Sequence, residues 1–185
     1  MTNKRIKQIV TCAVFAALIC VTTMFISVPA PAPLAGNVNL GDAIIIIASF
    51  LLGPLFGAIA GGVGAALADL FSAYAIYAPA TFFIKAALAV VCYYVFKAMV
   101  SLTKNSIISR IIAVICAELT MVLGYFIYEI FLYGFPTALA DVPFNLIQGA
   151  FGAVIGTVIT ILLLKNKTIS SFVSSLEKDK NDTEK

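Results

Sequence analysis

Histidine and tryptophan are absent from the 185-residue chain. Without histidine there is no imidazole to activate a nucleophile, bind a metal or relay protons. Without tryptophan, seven Tyr and 14 Phe must supply any interfacial belt or stacking surface. Charge is scarce: Asp, Glu, Lys and Arg make up 11% of the chain, against about 25% in an ordinary soluble domain. No interior polar stretch is long enough for a linker, so residues 1–165 are expected to form one domain and 166–185 a polar tail. Cys12, Cys20, Cys92 and Cys116 all fall inside apolar runs and form no CxxC pair, which favours small core residues over a metal or disulfide site. No GxxxxGK[ST] occurs, and Gly62-Val63-Gly64 does not continue as GxGxxG, so any ATP must be hydrolysed by another chain. No metal-ligand run or nucleophile and base pair is visible; neither an enzyme nor a nucleic-acid partner is expected.

Apolar residues, by contrast, make up 62% of the chain, and the mean hydropathy is +1.06. A bilayer-crossing helix needs about 20 mainly apolar residues, whereas a membrane barrel shows alternating segments of about 10. The runs here are continuous, which predicts an all-α membrane protein of six transmembrane helices. They are placed at Ile9–Val28, Leu40–Leu52, Leu55–Phe71, Pro79–Val100, Ile107–Tyr133 and Phe144–Leu164. Pro29, Pro31 and Pro33 stop the first helix and hold an extended segment. The 13 residues of the second run reach only about 20 Å, so that helix begins below the surface or the preceding loop dips in. Gly53-Pro54 separates the second and third helices. The third carries glycine and alanine at four-residue steps, the mark of closely approaching backbones. Ser72–Ala78, and the stretch through Asp141 and Pro143, are expected as loops, with Asp69 and Asp141 as caps or rim charges. With the N-terminus cytoplasmic, 11 of the 12 Lys and Arg lie on the cytoplasmic side. Both termini are then cytoplasmic, and the tail is disordered or a short amphipathic surface helix.

The exception is Lys85. An ionisable group inside a bilayer costs at least about 2.5 kcal/mol, which makes Lys85, Glu118 and Glu129 functional candidates. Lys85 either meets a ligand, snorkels to the outer interface or pairs with Glu129. Glu118, deeper on the same helix face as Val122, Tyr125 and Glu129, is a pocket floor or a structural partner. Asn145, Gln148, Gly149, Gly152 and Gly156 share a face of the last helix. Tyr74, Tyr77 and Tyr125 are belt or stacking residues. Asn37 and Asn39, before Asp42, read as a helix cap or as part of a lid over an outward-facing pocket.

Val38-Asn39-Leu40-Gly41-Asp42 before an isoleucine run, Leu52-Gly53-Pro54-Leu55-Phe56-Gly57 before a glycine-rich helix, and Pro79-Ala80-Thr81-Phe82-Phe83-Ile84-Lys85 together resemble the substrate-binding S components of energy-coupling factor (ECF) vitamin transporters, in the riboflavin-type branch. The resemblance implies a multi-pass protein of the bacterial cell membrane. Such a protein captures a vitamin or precursor from outside and docks to a transmembrane coupling subunit with two ATPase subunits. It needs no cofactor of its own, because ATP is hydrolysed by those partners. Ala13 and Ala17 match the small-residue docking motif; packing inside the protein is the other reading. The tryptophan-lined pocket of the thiamin-type branch cannot exist here. Substrate-binding candidates are Asn37, Asn39, Tyr74, Tyr77, Lys85, Tyr125, Glu129, Asn145 and Gln148. They suit a small polar ring such as pyridoxine or a hydroxymethylpyrimidine, with riboflavin as the larger option. The rival reading is a stand-alone transporter using Glu118 and Glu129 as proton or cation sites.

Overall fold

The computed structural model describes residues 3–29 and 37–177, and its apolar runs are helices. In chain order these are α1 (Asn3–Phe25), α2 (Gly41–Leu70), α3 (Ala78–Thr103), α4 (Ser106–Tyr133), α5 (Phe135–Lys165) and the short α6 (Lys167–Glu177). Between α1 and α2, strands β1 (Ser27–Pro29) and β2 (Asn37–Asn39) pair antiparallel, with Val28 opposite Val38. The first helix stops at Phe25 and Ser27–Pro29 is extended, while Pro31 and Pro33, expected to continue that segment, lie outside the described residues. Each of α1 to α5 is long and apolar enough to cross a membrane, so the protein is an all-α, multi-pass membrane protein. The start of the tail takes the helical option, as α6.

Helix α2 is two helical segments that meet at Gly53, where the backbone reverses. That residue sits at φ 78°, ψ −177°, a conformation open to glycine and strained for any residue with a Cβ. Pro54 then restarts the helix where a missing N–H costs nothing. In an unbroken helix Ser49 and Gly57 would lie about 12 Å apart. Instead, a Cβ on Gly57 would stand 2.9 Å from Ser49 Cα, and one on Gly61 3.0 Å from Ile45 Cγ2. The arms 41–52 and 54–70 therefore fold against each other as a helical hairpin, the second and third helices read from the sequence.

Arm 54–70 is the inner pillar of the bundle. A Cβ on Gly64 would lie 2.5 Å from Ala16 O of α1, and one on Gly61 3.2 Å from Lys85 O of α3. On the other side, arm 41–52 meets α5, where a Cβ on Gly156 would stand 3.0 Å from Ala43 O. Helices α3, α4 and α5 pack in sequence order and close the bundle around Ile19, Ile45, Ile46, Leu88 and Met121, all fully buried. Helix α1 turns Cys12, Ile19 and Thr23 inward and leaves Ala13 and Ala17 exposed.

The stretch through Asp141 and Pro143, expected as a loop, is helical. Gly134, at φ 85°, ends α4, and α5 begins at Phe135 with Pro136 in its first turn. The Gly-Phe-Pro signal already starts a helix, and Pro143 lies inside it; in a membrane bundle such a proline is tolerated because neighbouring groups re-satisfy the freed carbonyl. Asp141 is buried rather than on a rim. The loop after α2 holds one 3-10 turn, Ala75–Tyr77.

Because Ala16 O stands against Gly64, Gly64→Val is expected to push α1 off arm 54–70 and cost about 1–3 kcal/mol. Thermal unfolding in detergent, followed by a thiol-reactive dye reporting buried Cys12 and Cys92, should show a clear drop in Tm. An unchanged Tm would mean that this contact is not tight.

Candidate functional site

The strand β2 does not lie on the surface: Asn39 is buried, and its polar groups are satisfied from inside the bundle. Asn39 N–H donates to Gln148 Oε1 at 3.0 Å, and Asn39 Nδ2 donates to the same oxygen at 3.1 Å and to Asn37 Oδ1 at 3.0 Å. Asn39 Oδ1 accepts from Gly41 N, the first residue of α2, at 3.0 Å. Gln148 Nε2 donates to Asp42 Oδ2 at 2.7 Å, and Lys85 Nζ donates to Asp42 Oδ1 at 2.5 Å. A chain of hydrogen bonds thus runs from the strand through α5 and arm 41–52 to α3. Lys85 also lies 5.2 Å from the centre of the Tyr125 ring, a cation–π contact.

Beside this network, at the bundle end that carries β1 and β2, is a cavity of about 30 Å³, the scale of one or two waters. It is lined by Asn37 and Asn39 from β2, Asp69 from α2, Tyr74 and Tyr77 from the following turn, Thr81 from α3, Tyr125 and Glu129 from α4, and Asn145 and Gln148 from α5. Tyr77 is the centre of an aromatic cluster, with ring centroids 5.6 Å from Tyr128, 6.3 Å from Tyr125, 6.4 Å from Tyr133 and 6.5 Å from Tyr74. Tyr77 Oη donates to Glu129 Oε1 at 3.4 Å, and the Tyr125 and Thr81 hydroxyls are 3.0 Å apart.

Of the nine residues expected to meet a substrate, the structure brings Asn37, Asn39, Tyr74, Tyr77, Tyr125, Glu129, Asn145 and Gln148 to this one cavity. Lys85 lies behind it. Its partner is Asp42 and not Glu129, because the dipping strand starts α2 inside the bundle and leaves Asp42 fully buried at the level of Lys85. The sequence signal for the role of Asp42 is the short second run, which requires the helix to begin below the surface. Asp69 and Thr81 were missed as lining residues. Asp69 is at the end of an apolar helix, where a cap and a cavity carboxylate look alike, and Thr81 gave no distinct signal. Glu118 is buried deeper, against the glycine backbone of α5, with Gly149 and Gly152 giving it room.

The cavity is richer in acceptors than in donors. Asp69 Oδ2 and Glu129 Oε2 are buried oxygens with no hydrogen-bond partner among the described residues. Lone acceptors of this kind favour a molecule that brings N–H or O–H groups, flanked here by tyrosine rings and amide side chains. Among the described residues no group of three or more His, Cys, Asp or Glu is placed to hold a metal ion.

The Asp42–Lys85 pair generates a stability test. Removing one partner of a buried pair strands the other, at about 3–5 kcal/mol. Lys85→Met is therefore expected to destabilise strongly, and Asp42→Asn added to it should restore part of the loss, since Asn can still accept from Gln148. Additive losses in thermal unfolding of the two single variants and the double would contradict the pairing.

Comparison with known proteins places this geometry in context. Residues 3–165 match the family model described as ECF-type riboflavin transporter, S component. The chain is similar to an uncharacterized protein of Pyrococcus woesei, 33% identical over 147 residues, covering 80% of this chain and 95% of the relative. It is also similar to the thiamine precursor transporter HmpT of Lactococcus lactis subsp. cremoris, 28% identical over 172 residues, covering 93% of this chain and 96% of the relative. Among solved structures, the S component of a bacterial ECF transporter superposes with a TM-score of 0.71 at 24% identity, covering 87% of this chain and 97% of that one. The S component for biotin from an ECF-type ABC transporter superposes with a TM-score of 0.69 at 18% identity, covering 94% and 98%.

Proposed function

Because the chain belongs to the family of S components of ECF-type riboflavin transporters, we propose that it is the substrate-capturing subunit of an ECF-type importer and that its cavity takes a single-ring thiamine precursor of the aminopyrimidine class. The observation that carries this reading is the cavity itself. Asn37, Asn39, Asn145 and Gln148 supply amides, Tyr74, Tyr77 and Tyr125 supply rings, and Asp69 and Glu129 supply unmatched carboxylate oxygens. An aminopyrimidine offers a flat face to the tyrosines and an amine and a hydroxyl to the acceptors. At about 30 Å³ the cavity must widen for any ring, and one ring asks for less widening than the three fused rings of a flavin. Similarity to HmpT across 93% of the chain supports the same class.

In this reading the eight cavity residues named from the sequence contact the ligand, Lys85 stands behind them, and Glu118 is deeper still. The end of the bundle that carries β1 and β2 faces outside. The opposite end carries Lys7, Lys97, Lys104, Arg110 and Lys165, the cation bias of a cytoplasmic face, so both termini are cytoplasmic and α6 belongs to that side. Exposed Ala13 and Ala17 give α1 a flat stripe for a helix of the coupling subunit, and the two ATPase subunits hydrolyse ATP.

Calorimetry on the purified protein with hydroxymethylpyrimidine, pyridoxine, thiamine and riboflavin is expected to show tight binding of the pyrimidine, weakened about ten- to a hundredfold by Glu129→Gln, or about 1.4–2.8 kcal/mol. Binding of riboflavin or pyridoxine with none of the pyrimidine would overturn the substrate assignment. Ala13→Trp and Ala17→Trp should leave binding intact and abolish uptake by the assembled transporter. Uptake into proteoliposomes lacking any ATPase, driven by a proton gradient, would instead support a stand-alone transporter.

A further inference from the structure

Between residues 8 and 84, and again between 111 and 164, the chain contains no lysine or arginine. Every residue that lines the small cavity comes from these two stretches, and two of them, Asp69 and Glu129, carry carboxyl groups. Asp141, near the start of α5, adds a further buried acid. Lys85 stands behind the cavity, where its charge is already matched by Asp42. The cavity wall therefore holds two acids and no base.

Burial makes that imbalance costly. Glu129 is 2% exposed and Asp69 8%. One oxygen of each, Glu129 Oε2 and Asp69 Oδ2, has no hydrogen-bond partner among the described residues, and Glu129 Oε1 accepts a long bond of 3.4 Å from the Tyr77 hydroxyl. A neutral donor entering the cavity would satisfy an oxygen but leave a buried carboxylate without a counter-charge. A donor that brings its own positive charge meets both needs, and such charge-assisted hydrogen bonds are about twice as strong as neutral ones. The rings favour the same kind of guest. Tyrosine faces attract cations, and Tyr125, which lines the cavity, already has one ammonium, that of Lys85, 5.2 Å from its ring centre.

We propose that the cavity selects a cation: a flat, single-ring molecule whose positive charge is shared among N–H groups that meet Glu129 and Asp69 while its face lies on the tyrosines. The inference rests on the reading of this cavity as the substrate site and sharpens it from a donor-rich ring to a positively charged one. An aminopyrimidine qualifies in its protonated form, in which a ring nitrogen carries the proton and the exocyclic amine shares the charge. The neutral fused rings of a flavin do not qualify, and an anion would meet repulsion from both acids.

The test uses the purified full-length protein and a matched pair of probes, benzamidine and benzamide. Each has one ring and an NH2 donor in nearly the same shape, but at neutral pH benzamidine is a cation and benzamide is uncharged. In calorimetry benzamidine is expected to bind about tenfold more tightly or better, a difference of about 1.4 kcal/mol. Glu129→Gln and Asp69→Asn, which keep the shape and remove the charge, should each shrink that ratio, and the double variant should bring it close to one. If a variant does not fold, the ratio on the unmodified protein decides by itself. Equal affinity for the two probes, tighter binding of benzamide or no binding of either would overturn the proposal, as would a ratio that survives in the double variant. Hydroxymethylpyrimidine measured in parallel separates this inference from the substrate assignment. Selectivity for benzamidine without binding of the pyrimidine would uphold the charge class and remove the aminopyrimidine, whereas binding of the pyrimidine without selectivity for benzamidine would overturn the charge class alone.

Discussion

The rest of the structure depends on the ion pair between Lys85 and Asp42, a full positive and a full negative charge with almost no exposure inside a bundle of apolar helices. Neither charge could be inserted there alone. To bring them together, the chain must start α2 below the surface, reverse it at Gly53, and lay α3 against arm 54–70 closely enough that Gly61 touches the Lys85 carbonyl. The dipping strand, the helical hairpin and the glycine-rich pillar are thus parts of one arrangement. Gln148 then extends the pair to β2, and through Asn39 to the wall of the cavity.

Much of this was legible beforehand, because the bilayer makes polar residues expensive and so gives each one meaning. Asn37, Asn39, Tyr74, Tyr77, Tyr125, Glu129, Asn145 and Gln148 stood out within an apolar chain, and helical spacing put those of α4 and α5 on faces that converge in one cavity. Gly53-Pro54 announced the reversal in α2, since only glycine adopts that φ readily and only a helix start welcomes the proline. The identity of the lysine's partner was not legible. The sequence offered Glu129 as the partner, whereas contact across helices selected Asp42, and a sequence does not fix which helices face each other. Asp42 and Asp69 share a further difficulty: an acidic residue at a helix end has the same local pattern whether it caps the helix or lines a cavity. Pro143 misled for a similar reason, since a proline that marks a boundary in water is tolerated inside a membrane bundle.

The cavity's size and its chemistry point in compatible directions. It is too small for a vitamin in the described arrangement, and its wall is a short strand held to Gln148, to β1 and, through Asn39, to the start of α2. Family membership fits a substrate-binding subunit in a membrane protein whose sequence carries no ATP-binding motif. The particular acceptors and rings, rather than the family, favour a small donor-rich heterocycle.

The most direct test of the account is a structure of the protein with hydroxymethylpyrimidine bound. The account expects the ring between the tyrosine cluster and Gln148, its donors on Glu129 or Asp69, β2 in place and Lys85 on Asp42. A ring bound outside that cavity, or one contacting Lys85 directly with Asp42 displaced, would contradict it.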